Sequence, residues 1–396
     1  MQWKLPDSVL IVLIVILSVF APLSTDMFLP AMDEMIVYFH TDEETFSMML
    51  YLFMVFLAIG MLFLGPLSDK YGRKPVLIAS LVIYIISSFM CSVVTSIEMM
   101  IVMRIIQSIG AGGALTIAVA LIRDCFEEGR RSRVLFIVAV TGVLGPVLAP
   151  IIGQVLIWTF DWKATFWAPA AVAGVCLLIS LGLPSNIPVE RYKGSIFDSV
   201  KTMWPMLRNG DFRRFTIMMN MVVFCILAYI SVSEYIYKEK GFDVGDAYSF
   251  YLAGAMILGV LLMFIISKLN LNSKQILAVI FALTLISSIL LWTVGGQGPL
   301  LFLIAIVPII TVSSMARSFG FDILLAQDVG NSGAISSVLN FVHFMFAAAG
   351  MVMVVYLPFS SYVQSVAFCI TLYLIVYTVL WAYMKIKGTT LKGLDV

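Results

Sequence analysis

Charged residues are scarce in this chain. Asp, Glu, Lys and Arg make up 12% of its 396 residues, whereas soluble domains carry about 25%. The formal net charge is +1 and no basic stripe is present, so nothing indicates binding to nucleic acid. The five cysteines are scattered without metal-ligand spacing, which argues against a disulfide framework or a zinc centre.

Groups that carry catalysis are missing as well. The chain has two histidines, and its sequence contains no Ser/His/Asp set, no cluster of metal ligands and no phosphate-binding loop. We therefore expect neither an enzyme nor a bound cofactor or metal. A receptor is also disfavoured, because no segment of the sequence would form a soluble sensor domain.

Hydrophobic residues, in contrast, make up 61% of the chain. A membrane-spanning helix needs about 20 apolar residues. Twelve segments reach this length, at about 8–30, 46–66, 75–95, 98–122, 134–157, 164–183, 214–237, 247–267, 275–295, 299–323, 335–357 and 361–384. The first is too long to be a cleaved signal peptide. The sequence thus predicts an all-α integral membrane protein with twelve transmembrane helices.

The connections between these segments differ in basic charge. Nineteen lysines and arginines fall on one side and three on the other, so the positive-inside rule places both termini and the long middle loop in the cytoplasm. That loop, 184–213, separates an N-terminal six-helix half, 1–183, from a C-terminal half, 214–396. Leu121–Asp124 resembles Leu325–Asp328 in the second half, which indicates two pseudo-symmetric halves around a central site.

Asp26 is an acid inside the first apolar segment. A carboxylate there costs roughly 2.5–3.5 kcal/mol on insertion scales, so such a residue usually has a function. We interpret Asp26 as a group that binds a proton or a cation, or that pairs with an internal base. Arg104 in the fourth span is the candidate base; the alternative is that its side chain extends towards the membrane interface.

The connection between the second and third spans combines glycines with charges. Its residues of interest are Gly65, Asp69, Gly72, Arg73 and Lys74. We predict that Arg73 reaches Asp124 at the end of the fourth span, and that this cytoplasmic cluster latches the two halves. The alternative is that the bases only keep the loop in the cytoplasm, which leaves Asp69 and the glycines unexplained.

The fifth span carries a stretch of small residues and proline. Gly145, Ala149 and Gly153 permit close helix packing, and Pro150 kinks the helix. A tight, kinked seam suits an antiporter, which must change sides without leaking protons. The alternative is ordinary packing of small residues.

Together these motifs resemble those of a known family. The 65–75 loop matches the G-x-x-x-D-(R/K)-x-G-x-(R/K) pattern of the major facilitator superfamily (MFS fold). The fourth span resembles its R-x-x-Q-G-x-G-A pattern, with Ser108 in place of a glycine, and the fifth resembles its antiporter motif, with Ala149 and Gln154 in place of glycines. Together with residues 22–30 and 161–167, these motifs most resemble those of the bicyclomycin/chloramphenicol-resistance (Bcr/CflA) subfamily of drug:proton antiporters.

This resemblance implies a monomeric exporter of the bacterial inner membrane, driven by protons. It implies that Asp26 takes the position of the proton and cation site in related multidrug transporters. Some relatives carry a second acid two turns earlier, where this sequence has Ser18.

Other polar groups within the spans have open roles. Glu234 lies 208 residues after Asp26 and is a candidate second proton-coupling acid; the alternative is an interfacial residue beside the following loop. Arg317 either pairs with Asp322 or reaches the cavity. His343 is a hydrogen-bonded core residue in the simplest interpretation.

The predicted function is proton-driven efflux of small amphipathic compounds, with antibiotic resistance as a consequence. The partners would be a small-molecule substrate, protons and the lipid bilayer. Candidate cavity residues are Tyr51, Met54, Tyr229 and Met256. The alternative is a proton-coupled exporter of a native metabolite, such as a siderophore or an amino acid derivative. The antiporter motif argues against a nutrient symporter.

Overall fold

A computed structural model describes residues 5–184, 206, 208–238, 242, 247–327, 332–389 and 391–394. Across these ranges the regular structure is helical, without strands. The first half contains α1 (Asp7–Ser18), α2 (Phe20–Asp26), a 3₁₀ turn (Leu29–Ala31), α3 (Met32–Phe39), α4 (Glu43–Tyr71), α5 (Arg73–Val93), α6 (Ile97–Cys125), α7 (Glu128–Thr159) and α8 (Ala164–Leu181).

The second half contains seven further described helices. They are α9 (Gly210–Asn220), α10 (Val222–Lys238), α11 (Tyr248–Ser267), α12 (Ser273–Thr293), α13 (Pro299–Leu325), α14 (Ser332–Tyr356) and α15 (Tyr362–Lys387). Contacts divide the chain into two compact units, Met1–Ser199 and Val200–Val396. Most of the proposed linker, 184–213, lies outside the described residues, so its bounds stay a prediction.

The described residues contain eleven helical stretches that are long and apolar enough to cross a membrane. The remaining predicted span falls in α7, whose described apolar part, Leu144–Thr159, is shorter. Large apolar side chains such as Ile86 and Leu178 are exposed on the helices, as expected of surfaces that face lipid rather than water. The predicted all-α, multi-pass membrane protein is confirmed.

The first span of each half is broken, which apolar length did not predict. In the first half, α1 ends before Val19 and α2 ends at Asp26, and the span continues through the 3₁₀ turn and α3 to Phe39. In the second half, Met221 separates α9 from α10. The seventh span also begins earlier than the predicted residue 214, because the Asn209 side chain accepts the first free amides of α9.

The two units repeat one pattern of helix neighbours. In the first unit, α6 packs on α4 and α5, α5 packs on α8, and α7 packs on the broken first span. In the second unit, α13 packs on α11 and α12, α12 packs on α15, and α14 packs on α10. The same order of neighbours in both units supports the internal repeat seen in the sequence.

Candidate transport site

Asp26 lies where a helix stops. It is the last residue of α2, it is 5% exposed, and the backbone turns through Met27 and Phe28 into the 3₁₀ turn. No arginine or lysine in the described part of the chain comes within 4.0 Å of its carboxylate. The charge of Arg104 still acts on Asp26 electrostatically. The Asp26 carboxylate is therefore buried without an ion-pair partner among the described residues.

Arg104 has different partners from the one proposed for it. Its Nη1 donates to the Ser24 carbonyl oxygen at 2.8 Å and to Gln107 Oε1 at 2.7 Å. The residue is 0% exposed, so it does not extend to the membrane interface, and the ion pair with Asp26 is not formed. Three rings surround the guanidinium, with centroids at 4.2–5.9 Å: Phe53, Phe28 and Phe166.

A hydrogen-bonded network extends from Arg104 through three helices. Gln107 Nε2 donates to Ser88 Oγ at 2.7 Å. Ser24 Oγ donates to the Phe20 carbonyl oxygen at 2.6 Å and lies 2.6 Å from the Tyr84 hydroxyl. Because the single Ser24 proton is used on Phe20, the Tyr84 hydroxyl donates to Ser24. The network holds α2 at Ser24, two residues before its end, and so positions Asp26.

The glycines of α7 pack against the same broken segment. A methyl group at Gly153 would overlap the Met27 carbonyl oxygen, and one at Gly145 would lie 2.8 Å from Pro22 Cγ. Ala149 and Pro150 between them are buried. The small residues of the fifth span therefore hold the chain on both sides of Asp26.

The charged loop residues form a compact cluster at the junction of α4 and α5. Arg73 Nε donates to Asp124 Oδ2 at 2.8 Å and its Nη1 donates to Ser68 Oγ at 2.6 Å, while Nη2 contacts Asp69. Arg73 is 1% exposed, so these acceptors replace water around its charge. Lys74 donates separately to the Leu181 carbonyl oxygen at 2.7 Å.

Local geometry explains why glycine occupies positions 65 and 72. Gly72 has φ 106 and ψ 151, a conformation that is essentially restricted to glycine. A methyl group at Gly65 would lie 2.9 Å from Thr116 Cγ2 of α6. The geometry explains the pattern, while a latch between the halves stays a prediction.

Glu234 and the candidate cavity residues are buried. Glu234 is 0% exposed in α10, and Lys238 Nζ donates to its Oε1 at 2.5 Å. Its surroundings therefore differ from those of Asp26. Three of the four candidate cavity residues, Met54, Tyr229 and Met256, are buried, and Tyr51 is half-buried. Their role in a substrate cavity stays a prediction.

Arg317 and His343 come together, although the sequence suggested Asp322 as one possible partner for Arg317. Arg317 Nη1 lies 3.1 Å from His343 Nε2. Asp322 is exposed, and no ion pair joins it to Arg317 among the described residues. Nothing in either residue's immediate sequence signalled this contact, because it depends on the packing of α13 against α14.

The helical fold with buried charges in its spans defines a multi-pass membrane transporter. Residues 14–354 match the family model of the Major Facilitator Superfamily, and the chain belongs to this superfamily. It is 27% identical over 329 residues to Multidrug resistance protein MdtL of Shewanella sp. (strain ANA-3), with 81% of each chain covered.

Two further comparisons bear on the extent of this similarity. Multidrug resistance protein MdtL of Escherichia fergusonii is 28% identical over 226 residues, so the match spans 57% of that relative's length and 57% of this chain. The crystal structure of peptide transporter POT in complex with sulfate superposes with a TM-score of 0.77 at 11% identity, covering 97% of this chain and 96% of that one. That structure supports the fold alone.

Proposed function

We propose that this protein is a proton-driven exporter of small amphipathic compounds in the bacterial inner membrane. The observation that carries the proposal is Asp26, a buried carboxylate at a helix end without an ion-pair partner among the described residues. The relatives named Multidrug resistance protein MdtL support drug efflux as the physiological role.

The burial of Asp26 supplies a reason for coupling. An ionised carboxylate is costly in an apolar interior unless something compensates its charge. A proton taken from the acidic outer side would neutralise Asp26. A substrate arriving from the cytoplasm or the inner leaflet would compete with that proton, either directly or by changing the packing of the segment. Each occupant then excludes the other, which is the condition for exchange.

Arg104 and α7 would hold the segment around Asp26 in place during this exchange. Arg104 fixes the Ser24 carbonyl oxygen, and Gly153 fits under the Met27 backbone. With α2 held on both sides, Asp26 would change its occupant without wide movement of its own helix. In this proposal Arg104 is a positioning residue, and Glu234 is a second candidate acid whose charge Lys238 already compensates in part.

The remaining features concern the transport cycle. We infer that two six-helix halves, 1–183 and 214–396, alternate access to a site lined by such residues as Tyr51 and Met256. The linker 184–213 and both termini would lie in the cytoplasm, as the basic connections favour. The Arg73 cluster would stabilise one state of the cycle, and one chain would be sufficient as a monomer in the lipid bilayer.

A proton-coupled exporter of a native metabolite is the second candidate. It would use the same scaffold and the same Asp26, and would differ only in the substrate. Deleting the gene separates the two functions: raised drug sensitivity favours multidrug efflux, whereas loss of a compound from the culture supernatant favours metabolite export.

The direct test uses everted membrane vesicles with an acidic interior and a pH-sensitive dye. Chloramphenicol, bicyclomycin and tetraphenylphosphonium are added in turn to wild type, to Asp26→Asn and to the control Glu44→Gln, which removes an exposed acid at the start of α4. We expect drug-dependent proton release in wild type and in the control, and none in Asp26→Asn. Release that survives in Asp26→Asn would overturn Asp26 as the coupling site.

A further inference from the structure

Among the described residues of the second unit, the positive charge of Arg317 has no acid beside it. Arg317 lies in α13, eight residues before that helix ends at Leu325. Its guanidinium contacts His343 Nε2 at 3.1 Å and lies near the Phe321 ring, whose centroid is 5.9 Å from Cζ. Throughout the described ranges, no carboxylate lies within 4.0 Å of this guanidinium.

The contact with His343 orients Arg317 without neutralising it. A guanidinium can only donate hydrogen bonds, so His343 Nε2 must accept and the imidazole must be uncharged in this geometry. The Phe344 ring packs edge-on against His343, with centroids 5.4 Å apart. His343 is thus held in place and in turn holds one edge of the guanidinium, while the charge of Arg317 persists.

Exposure makes this charge available. Arg317 is exposed, in contrast to Arg104, which is 0% exposed. An arginine in the apolar part of a membrane helix costs roughly 2.5–3.5 kcal/mol even on insertion scales, so its free side should face water or an anion rather than lipid. On this energetic argument, the exposed part of Arg317 faces a solvated space rather than lipid.

The neighbours of Arg317 suit an amphipathic solute. Ser313 and Ser314 precede it by four and three residues and therefore share its helix face. Phe321, half-buried, follows it by four residues on that face. A cation beside hydroxyls and an aromatic ring provides a site for the acidic end of a molecule whose other end is apolar.

We propose that Arg317, positioned by His343, is a subsite that binds the carboxylate or sulfonate group of an amphipathic anionic substrate. This inference rests on the proposed export function and adds anionic amphipathic compounds to its substrates. Arg317 has the planar fork that carboxylate and sulfonate oxygens can accept from in pairs. A neutral analogue of such a substrate would lose the charge-assisted hydrogen bonds.

The test measures binding to the purified full-length protein in lipid-free maltoside micelles by titration calorimetry. The probes are naphthalene-2-sulfonate and naphthalene-2-sulfonamide, which share size and ring system but differ in charge. We expect wild type to prefer the sulfonate by about tenfold, as for a charge-assisted pair. Arg317→Gln should lose this preference, Arg317→Lys should keep part of it, and Lys274→Gln, which removes an exposed charge of the same unit, should not alter it.

The role of His343 is tested by the same measurement, the ratio of the affinities for the sulfonate and the sulfonamide. His343→Phe should reduce the preference for the sulfonate about threefold, since Arg317 would lose its orienting acceptor. His343→Gln should restore it, because the amide oxygen can accept in place of Nε2. Size-exclusion profiles and melting temperatures identify variants that do not fold. If Arg317→Gln fails to fold, the affinity ratio of Arg317→Lys for the two probes decides whether Arg317 binds the sulfonate.

Three outcomes would overturn the subsite. The first is an equal affinity of wild type for both probes. The second is a sulfonate preference that is unchanged in a folded Arg317→Gln or Arg317→Lys variant. The third is competition by phosphatidylglycerol that is as strong as that of the sulfonate itself and depends on Arg317. The last would assign the charge to a lipid headgroup. Because no proton gradient is used, absent drug-driven proton release would refute the export function separately.

Discussion

The two halves of this transporter share a scaffold and differ in their charges. Each begins with a broken span, interrupted at Val19 in the first half and at Met221 in the second. In each half a glycine of the fifth span packs against this broken span: Gly153 of α7 against the Met27 carbonyl oxygen, and Gly350 of α14 against the Phe224 carbonyl oxygen. The scaffold has therefore been kept while the chemistry on it has changed.

The charged groups show the difference. In the first half, Asp26 has no ion-pair partner in the described structure, and Arg104 is enclosed by a carbonyl oxygen, an amide and three aromatic rings. In the second half the situation is reversed, because Glu234 binds Lys238 and Arg317 is exposed. Among the described residues, the buried acid without an ion pair and the exposed arginine thus lie on different halves. In our proposal the first handles protons and the second handles the substrate's charge.

The strongest test of the shared scaffold is the pair Gly153→Ala and Gly350→Ala. Each added methyl group meets a backbone carbonyl, which cannot move aside as a flexible side chain does. We expect each variant to lose about 1–3 kcal/mol of stability, seen as a lower melting temperature of the purified protein. Gly174→Ala, which meets no atom within 4 Å, should melt like wild type.

Function should separate these two variants. At a temperature where both remain folded, Gly153→Ala should lose drug-dependent proton release in vesicles, because it displaces the segment after Asp26. Gly350→Ala should keep most of it. Equal loss in both would mean that the two halves contribute alike to proton coupling, contrary to the contrast drawn above.

The next comparison concerns the loops that follow α4 and α11. The Arg73 guanidinium contacts Asp69, Ser68 and Asp124, whereas Lys268 is exposed and lies over the Phe264 ring. Arg73→Lys should lower stability by about 1–3 kcal/mol, since an ammonium group cannot reproduce the planar fork. Lys268→Gln should change neither melting temperature nor transport. An Arg73→Lys variant with the melting temperature of wild type would contradict a stabilising role for this cluster.

Glu234→Gln tests whether the second acid takes part in coupling. We expect drug-dependent proton release to persist, in contrast to Asp26→Asn, because Glu234 already has Lys238 as a partner. The variant should lose about 1–2 kcal/mol of stability, less than for a fully buried pair, since Lys238 is partly exposed. Adding Lys238→Gln should cost little more in a double-mutant cycle. Loss of proton release would make Glu234 a coupling residue.

The smallest expected effect compares two helix caps. The Thr45 backbone amide donates to Asp42 at the start of α4 and holds the pKa of that carboxyl below its usual value of 3.8. Asn272 caps α12 with a neutral amide. Asp42 therefore contributes its full stabilisation above about pH 3.8, and this is lost as the pH falls through its lower folded pKa.

Hydrogen exchange gives the measurement for these caps. The Thr45 amide should lose protection relative to the Gln275 amide as the pH falls below this value, after correction for intrinsic exchange. Asp42→Asn should remove the difference between the two caps. Equal pH dependence at both amides in wild type would contradict the assignment.

Much of the architecture was readable from sequence because it depends on local composition. The runs of apolar residues predicted the spans, and the 65–75 loop predicted where Arg73 and Asp124 would be found. The breaks at Val19 and Met221 were not predicted, because hydrophobicity continues through both. Arg104 was placed correctly within its span, but its partners Ser24 and Gln107 depend on how α2 lies against α6.

The sequence by itself determined the class of protein: a multi-pass helical transporter of the major facilitator superfamily with an acid in its first span. Lipid imposes that result, since a long apolar chain must satisfy its backbone hydrogen bonds within helices. Only the tertiary structure decided which charges within the spans are compensated. Arg104 meets a carbonyl oxygen, Glu234 meets Lys238, and Arg317 meets an uncharged His343. Apart from the Glu234–Lys238 pair, these contacts join different helices, and helix packing rather than local sequence sets their distances.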